Sequence, residues 1–186
     1  QVHVATGGLE PVVAGLHGLR PDPEAGVTIQ DIAEVTDVLT THPYPLFTPH
    51  CGREVLTAMR PALHAAAETR LYADVGSKPC LAEELGTLGP MFGCDASAAN
   101  YLRMSLFSLW AHDGGGLLWW CAFDQDPLEH PPYAWTALER ELGLIRSDGR
   151  AKPVLEELSR FRRFLDRLPF SALPPRLADG VCVLTQ

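Results

Sequence analysis

The chain has 186 residues, of which 46% are hydrophobic and 20% charged. That is the size of one domain and the composition of a globular one, so wholesale disorder is excluded. Lys and Arg number 15 against 23 Asp and Glu, a formal net charge of -8, so the chain lacks the basic face that a nucleic-acid backbone requires.

Mean hydropathy is +0.01. The longest apolar candidate, Gly114 to Phe123, is about half of what a membrane crossing needs, so no membrane partner is expected. The 16 Gly and 16 Pro point to a loop-rich protein. Gln1-Val2-His3-Val4 has no basic stretch followed by an apolar one, so no signal peptide is predicted; without an initiator Met, the sequence reads as beginning inside a longer polypeptide. The five cysteines, Cys51, Cys80, Cys94, Cys121 and Cys182, are odd in number and widely spaced. They read as reduced, small apolar side chains of a cytoplasmic protein rather than as a disulfide framework. No C-x-x-C or H-x-x-x-H pair is present, so neither structural zinc nor another metal is expected.

In chain order, four short apolar segments read as strands: Val2 to Thr6, Asp37 to Thr41, Pro79 to Ala82 and Leu117 to Phe123. They are nearly continuous apolar runs, the pattern of strands buried on both faces of a parallel sheet. Between the second and third, Arg53 to Met59 reads as a short helix and Pro61 to Val75 as a separate, Ala-rich one, because an interior proline would break a single helix. After the third strand, Asp95 or Ser97 can cap a helix running to Trp110, with Tyr101, Leu102, Ser105, Leu106 and Leu109 on one face. Pro153 opens the clearest helix, in which Val154, Leu158, Phe161, Leu165 and Leu168 recur at helical spacing. Residues 1–170 therefore form one α/β unit. Ser171 to Pro175 reads as a linker, and Val181 to Leu184 as the first strand of a following segment spanning 171–186.

Polar groups capable of chemistry gather where the strands end: His42 with Tyr44, Glu84, and Trp120 with Asp124, while the opposite ends read as bland. That is the distribution found around the active site of a (β/α)8 barrel. The run Lys78-Pro79-Cys80-Leu81-Ala82-Glu83-Glu84-Leu85-Gly86 resembles the seventh-strand motif of clan A glycoside hydrolases, the cellulase-like and β-galactosidase-like retaining enzymes. Asp37 to Pro45, with His42-Pro43-Tyr44, resembles their sixth strand; Gly116 to Asp124, with Trp119-Trp120, resembles their eighth. Leu142 to Ile145, Asp148-Gly149 and Lys152-Pro153 resemble the lead into their last barrel helix.

The resemblance implies the C-terminal half of a (β/α)8 TIM barrel, with four parallel strands and their helices. It also implies hydrolysis of β-glycosidic bonds with retention, and an oligosaccharide, polysaccharide or simple β-glycoside as substrate. Such chemistry uses two carboxyl groups about 5–5.5 Å apart, one as nucleophile and one as acid/base. Because side chains alternate along a strand, Glu83 and Glu84 cannot both face the barrel axis. The motif selects Glu84 as nucleophile, with Ala82 and Cys80 on its face, and Gly86 leaving room for the sugar. Tyr44 is the hydrogen-bond donor that keeps this carboxylate ionised and oriented, and His42 supports the same site or holds a sugar hydroxyl. Trp120 is the candidate stacking platform, with Trp119 turned toward the helices.

Asp124 either holds a hydroxyl or caps the following loop. Tyr133 and Trp135 can line more distant subsites, and His50, His112 and His130 fall in loops on the same side as bystanders. Plainer readings stand beside each of these: surface charge for the glutamates, a satisfied core histidine for His42, turn packing for Tyr44 and core packing for either Trp.

The acid/base residue of the resembled enzymes follows an Asn at the end of the fourth strand. No Asn-Glu occurs here, so that group and the remaining half of the barrel are expected from a longer chain or another chain. Two further classes fit the same residues less well. One is a non-catalytic carbohydrate-binding barrel, with Glu84 as a ligand contact. The other is a doubly wound nucleotide-binding domain, against which stands the absence of any G-x-G-x-x-G or G-x-x-x-x-G-K-[ST] motif. No cofactor is expected.

Overall fold

The computed structural model describes residues 28–45, 54–56, 58–135, 137, 139–174, 176–181 and 183. It contains helix α1 (Ile29–Val35), strand β1 (Leu39–Thr41), α2 (Met59–Gly76), β2 (Cys80–Leu85), a 3-10 turn (Gly89–Met91), α3 (Asp95–Ala111), β3 (Leu117–Trp119) and α4 (Pro153–Leu165). The three strands form one parallel sheet in the order β1-β2-β3. Parallel neighbours joined by α2 and α3 are successive β-α-β units, the repeat from which barrels and doubly wound sheets are built. Among the described residues there are three strands rather than the expected four; the expected strand Val2 to Thr6 lies outside them.

Several element bounds differ from the sequence reading. Arg53 to Met59 and Pro61 to Val75 were expected as two helices, but α2 starts at Met59 and carries Pro61 in its first turn. The first N–H groups of a helix have no partner within it, so a proline costs no hydrogen bond there. The N-cap of α3 is Cys94; Asp95 sits in the first turn and pairs with Arg146. Helix α1 was not anticipated. Its signals are present: Thr28 accepts from the Asp31 N–H at 3.1 Å, and Ile29, Ile32 and Ala33 supply a buried face. β3 ends at Trp119, four residues before the expected end at Phe123, and Phe123 itself forms an isolated bridge to Ile145. Helix α4 stops at Leu165, leaving Leu168 outside it. Val181 and Val183 are exposed and belong to no strand.

The core lies between the sheet and its helices. Leu39 and Cys80 pack with Ile29, Ile32, Ala33 and Tyr72 of α1 and α2. Ala82 and Leu85 pack with Ala65 and Ala66 of α2 and with Tyr101 and Leu109 of α3. Thr41 also points this way, its hydroxyl 3.2 Å from that of Thr69. A third cluster joins Ala98, Leu102 and Leu106 of α3 to Val154 of α4, with Trp119 against it. On the strand face away from the helices, Leu118 is 53% exposed.

The sheet contains one irregularity that matters for the site. Ala82 pairs with Leu117 and Leu85 with Trp119, so three steps along β2 match two along β3. This extra residue shifts the alternation of β2. Cys80 and Ala82 face the helices before it and Leu85 after it. The expectation that Cys80 and Ala82 share a face with Glu84 is thereby corrected.

Candidate active site

His42 and Tyr44 follow directly on β1, and Glu84 is the penultimate residue of β2, inside the strand rather than beyond its end. Parallel pairing of Leu39 with Cys80 and Thr41 with Ala82 brings the carboxyl ends of both strands together. The Tyr44 hydroxyl donates to Glu84 Oε2 at 3.1 Å. His42 Nδ1 lies 3.3 Å from the same oxygen. Its Nε2 lies 3.7 Å from Glu83 Oε2, too far for a hydrogen bond, and has no such partner among the described residues. Both glutamates thus approach one imidazole from opposite sides. The strict alternation expected of them fails because the bulge falls between Ala82 and Leu85.

Tyr44 is buried, and burial, followed by the charge of Glu84 and its hydrogen bond, raises the phenol well above its usual range. The hydroxyl is therefore a persistent donor. Glu84 itself keeps part of its side chain open, at 27%.

Gly86 has a specific spatial role. A Cβ there would sit 3.1 Å from the Trp120 carbonyl oxygen and 3.3 Å from Tyr44 Cε1. Its missing side chain lets the end of β3 and the Tyr44 ring close around the strand end. The two tryptophans then diverge. Trp119 packs against the helix layer and donates its indole N–H to the Leu142 carbonyl at 3.1 Å. Trp120 is 40% exposed, and its indole Nε1 lies 3.5 Å from Glu139 Oε2. The Trp120–Cys121 peptide bond is cis. Glu139 was missed from sequence, since no periodic pattern marks its loop and only the folded chain carries it to Trp120.

Asp124 takes the plainer of its two expected roles, which corrects its assignment as a substrate-binding residue. It is buried; its Oδ1 accepts from Lys152 Nζ at 2.6 Å and from the Gly143 N–H at 2.8 Å. The same Lys152 ammonium donates to the Glu141 carbonyl at 2.9 Å. Asp124 therefore ties the loop after β3 to the start of α4, and its charge is already neutralised.

Trp135 is 80% exposed, while Tyr133 packs edge-on against His130 with ring centres 5.3 Å apart. His50 lies outside the described residues. His112 is not on the same side as Glu84. It caps the C-terminus of α3, just before Gly115 donates to the carbonyl of Cys80, the first residue of β2. Nor is that opposite end bland. It holds a cleft of about 490 Å³ lined by Arg70, Asp74, Lys78 and Asp113 among others, in which Arg70 pairs with Asp74 and Asp113.

No family model and no curated protein matches the sequence. Solved structures do match, glycoside hydrolases among them. A single-residue variant of GH5_18 from Streptomyces cattleya, in complex with Manb1-4GlcNAc, is 24% identical over 76% of this chain and 34% of its own, with a TM-score of 0.64. The exo-beta-1,4-mannosidase of Opitutaceae bacterium strain TAV5 is 31% identical over 69% of this chain and 22% of its own, with a TM-score of 0.53. The beta-glucuronidase of Bifidobacterium dentium is 13% identical over 76% of this chain and 22% of its own, also at 0.53.

The chain therefore has part of a clan A glycoside hydrolase fold. It spans 22–34% of the length of these proteins. Among the described residues no helix is long and apolar enough to cross a membrane.

Proposed function

We propose that this chain is the second half of the barrel of a retaining β-glycosidase, with Glu84 as nucleophile and the acid/base carboxyl supplied from outside the chain. The observation that carries this reading is the Tyr44 hydroxyl donating to Glu84 Oε2 at the carboxyl ends of adjacent parallel strands. A fixed donor on one carboxylate oxygen holds the side chain in one rotamer, so the other oxygen can be aimed at an anomeric carbon. His42, 3.3 Å from the same oxygen, limits its movement from the other side.

In the first step a Glu84 oxygen bonds to the anomeric carbon as the glycosidic C–O bond breaks. The bonding pair leaves with the aglycone oxygen, which takes a proton from the acid/base carboxyl. That group, now a carboxylate, then removes a proton from water. The water oxygen attacks the anomeric carbon, the ester bond to Glu84 breaks, and the sugar departs with its configuration retained. Trp120 offers the stacking face for the ring. Neutral β-linked sugars of the mannose type are the substrate class favoured by the neighbours, one bound to Manb1-4GlcNAc and one an exo-beta-1,4-mannosidase.

The test is covalent trapping in the complete parent protein. A 2-deoxy-2-fluoro glycosyl fluoride should inactivate it, releasing fluoride and leaving the mass of the 2-deoxy-2-fluoroglycosyl group on the peptide containing Glu84. Stoichiometric label on any other carboxylate, or hydrolysis with inversion, would remove the assignment.

A further inference from the structure

Glu139 lies beside the Trp120 indole without a Lys or Arg partner among the described residues. It is half-buried, and its neighbour Arg140 sends its guanidinium instead to the Asp126 carbonyl at 2.6 Å. Among the described residues its hydrogen-bonding contact is the Trp120 indole N–H, 3.5 Å from Oε2. Its charge also reaches the Tyr44 phenol and helps to retain that proton.

Resting on the glycosidase reading above, we propose that Glu139 is the specificity-determining residue of the sugar subsite at Trp120. One oxygen holds the indole in its plane, and the other accepts from hydroxyls of a neutral pyranose stacked there. An unneutralised carboxylate beside the platform is well matched to the hydroxyl donors of a neutral sugar. It repels the carboxylate of a uronic acid, whose burial against a like charge is unfavourable. The subsite thus selects neutral glycosides over glucuronides by charge.

The test uses the complete parent protein, with a neutral 4-nitrophenyl β-glycoside (mannoside or glucoside) as substrate and the free neutral sugar and glucuronate as competing inhibitors. Glu139→Ala should raise KM about tenfold, the loss of one sugar hydrogen bond, with kcat within about threefold. Glu139→Gln keeps one oxygen to accept from the indole N–H and an amide group that can donate to a sugar hydroxyl oxygen, so KM should return to within about threefold of the unsubstituted enzyme. Inhibition by glucuronate, relative to the neutral sugar, should strengthen about tenfold.

If Glu139→Ala does not fold, the inhibitor ratio of Glu139→Gln alone decides. Normal turnover with KM and inhibitor ratio unmoved by either substitution overturns this inference and leaves the glycosidase reading standing. Absence of turnover in the unsubstituted protein on either neutral glycoside overturns both.

Discussion

Tyr44 and Glu84, 40 residues apart in the chain, meet as a phenol and a carboxylate 3.1 Å apart. The contact depends on register. Were β1 to slip by one residue against β2, Tyr44 would present its opposite face and the pair would separate. The pairing of Leu39 with Cys80, fixed by the buried Leu39 and Cys80 side chains, therefore determines this site from its far end. Tyr44→Phe should keep the fold and lower kcat by about tenfold or more, since it removes one charge-assisted hydrogen bond from the reacting carboxylate. Steady-state kinetics beside a far-UV spectrum would check it; an unchanged kcat would show that the phenol does not serve the site.

The same contact sets an alkaline signature. The Tyr44 phenol is raised by burial first and by Glu84 second. Its folded value exceeds its unfolded one, so the native chain holds this proton after the unfolded chain has released it. The stabilisation is complete below about pH 10 and is lost above it, at up to about 1.4 kcal/mol per pH unit. Phenolate absorbance near 295 nm, followed through about pH 10 in native protein, should have the same amplitude in Tyr44→Phe as in the parent. A smaller amplitude in the variant would place Tyr44 among the ordinary tyrosines.

Asp124 and Lys152 should report as a structural pair. Their side chains are only 4% and 5% exposed, and removing one partner leaves the other charge buried. Lys152→Met should destabilise by about 3–5 kcal/mol, whereas Asp124→Leu with Lys152→Met should recover much of that loss. Thermal or urea unfolding of the two variants measures the difference. A sugar ligand at Asp124 would instead raise KM at unchanged stability.

The cysteines should differ sharply in reactivity. Cys80 is buried in the helix-facing core, and desolvation pushes its thiol up to about 12. Cys94 is exposed at the start of α3, and hydrogen bonds from Ser97 lower its thiol. Brief iodoacetamide treatment at neutral pH, read by peptide mass, should modify Cys94 well before Cys80. Equal rates would mean that the β2 core opens readily.

Much of this was legible in the sequence because it rests on local pattern. The apolar runs that became β1, β2 and β3, the buried face of α3 and the Pro153 start of α4 all follow from periodicity and element-terminal residues. His42, Tyr44, Glu84 and Trp120 stood out because polar and aromatic groups interrupt those runs at one end. What was hidden depends on pairing between segments. The bulge in β2 arises from how Ala82 and Leu85 match Leu117 and Trp119, which neither strand encodes alone. Glu139 meets Trp120 across 19 residues of irregular loop. The setting of Asp124 depends on Lys152, 28 residues later in the chain, which no local pattern links to it. Helix α1 was legible in principle from Thr28 and Asp31, but at seven residues its apolar pattern is too short to stand out.

The two adjacent glutamates separate the proposal from its nearest rival. Both carboxylates lie by His42, at 3.3 Å for Glu84 and 3.7 Å for Glu83, so position beside the imidazole does not distinguish them. Tyr44 does, because its hydroxyl reaches Glu84. Glu84→Gln conserves shape while removing the charge that must attack, and loss of a nucleophile costs several orders of magnitude in kcat, beyond the ~1–3 kcal/mol of a lost hydrogen bond. Glu83→Gln should cost about tenfold or less, through the orientation of His42. Azide offered to the Glu84→Gly variant with an activated β-glycoside should restore turnover and yield the glycosyl azide of inverted configuration, since a small anion then attacks where the carboxylate did. If Glu83→Gln is the inactive variant and azide rescues Glu83→Gly instead, the nucleophile lies on the other side of His42. If both Gln variants keep full activity, neither carboxylate is the nucleophile and the Glu84 assignment falls; if the unsubstituted protein binds sugar and hydrolyses no β-glycoside, the carboxylates are ligand contacts of a carbohydrate-binding barrel.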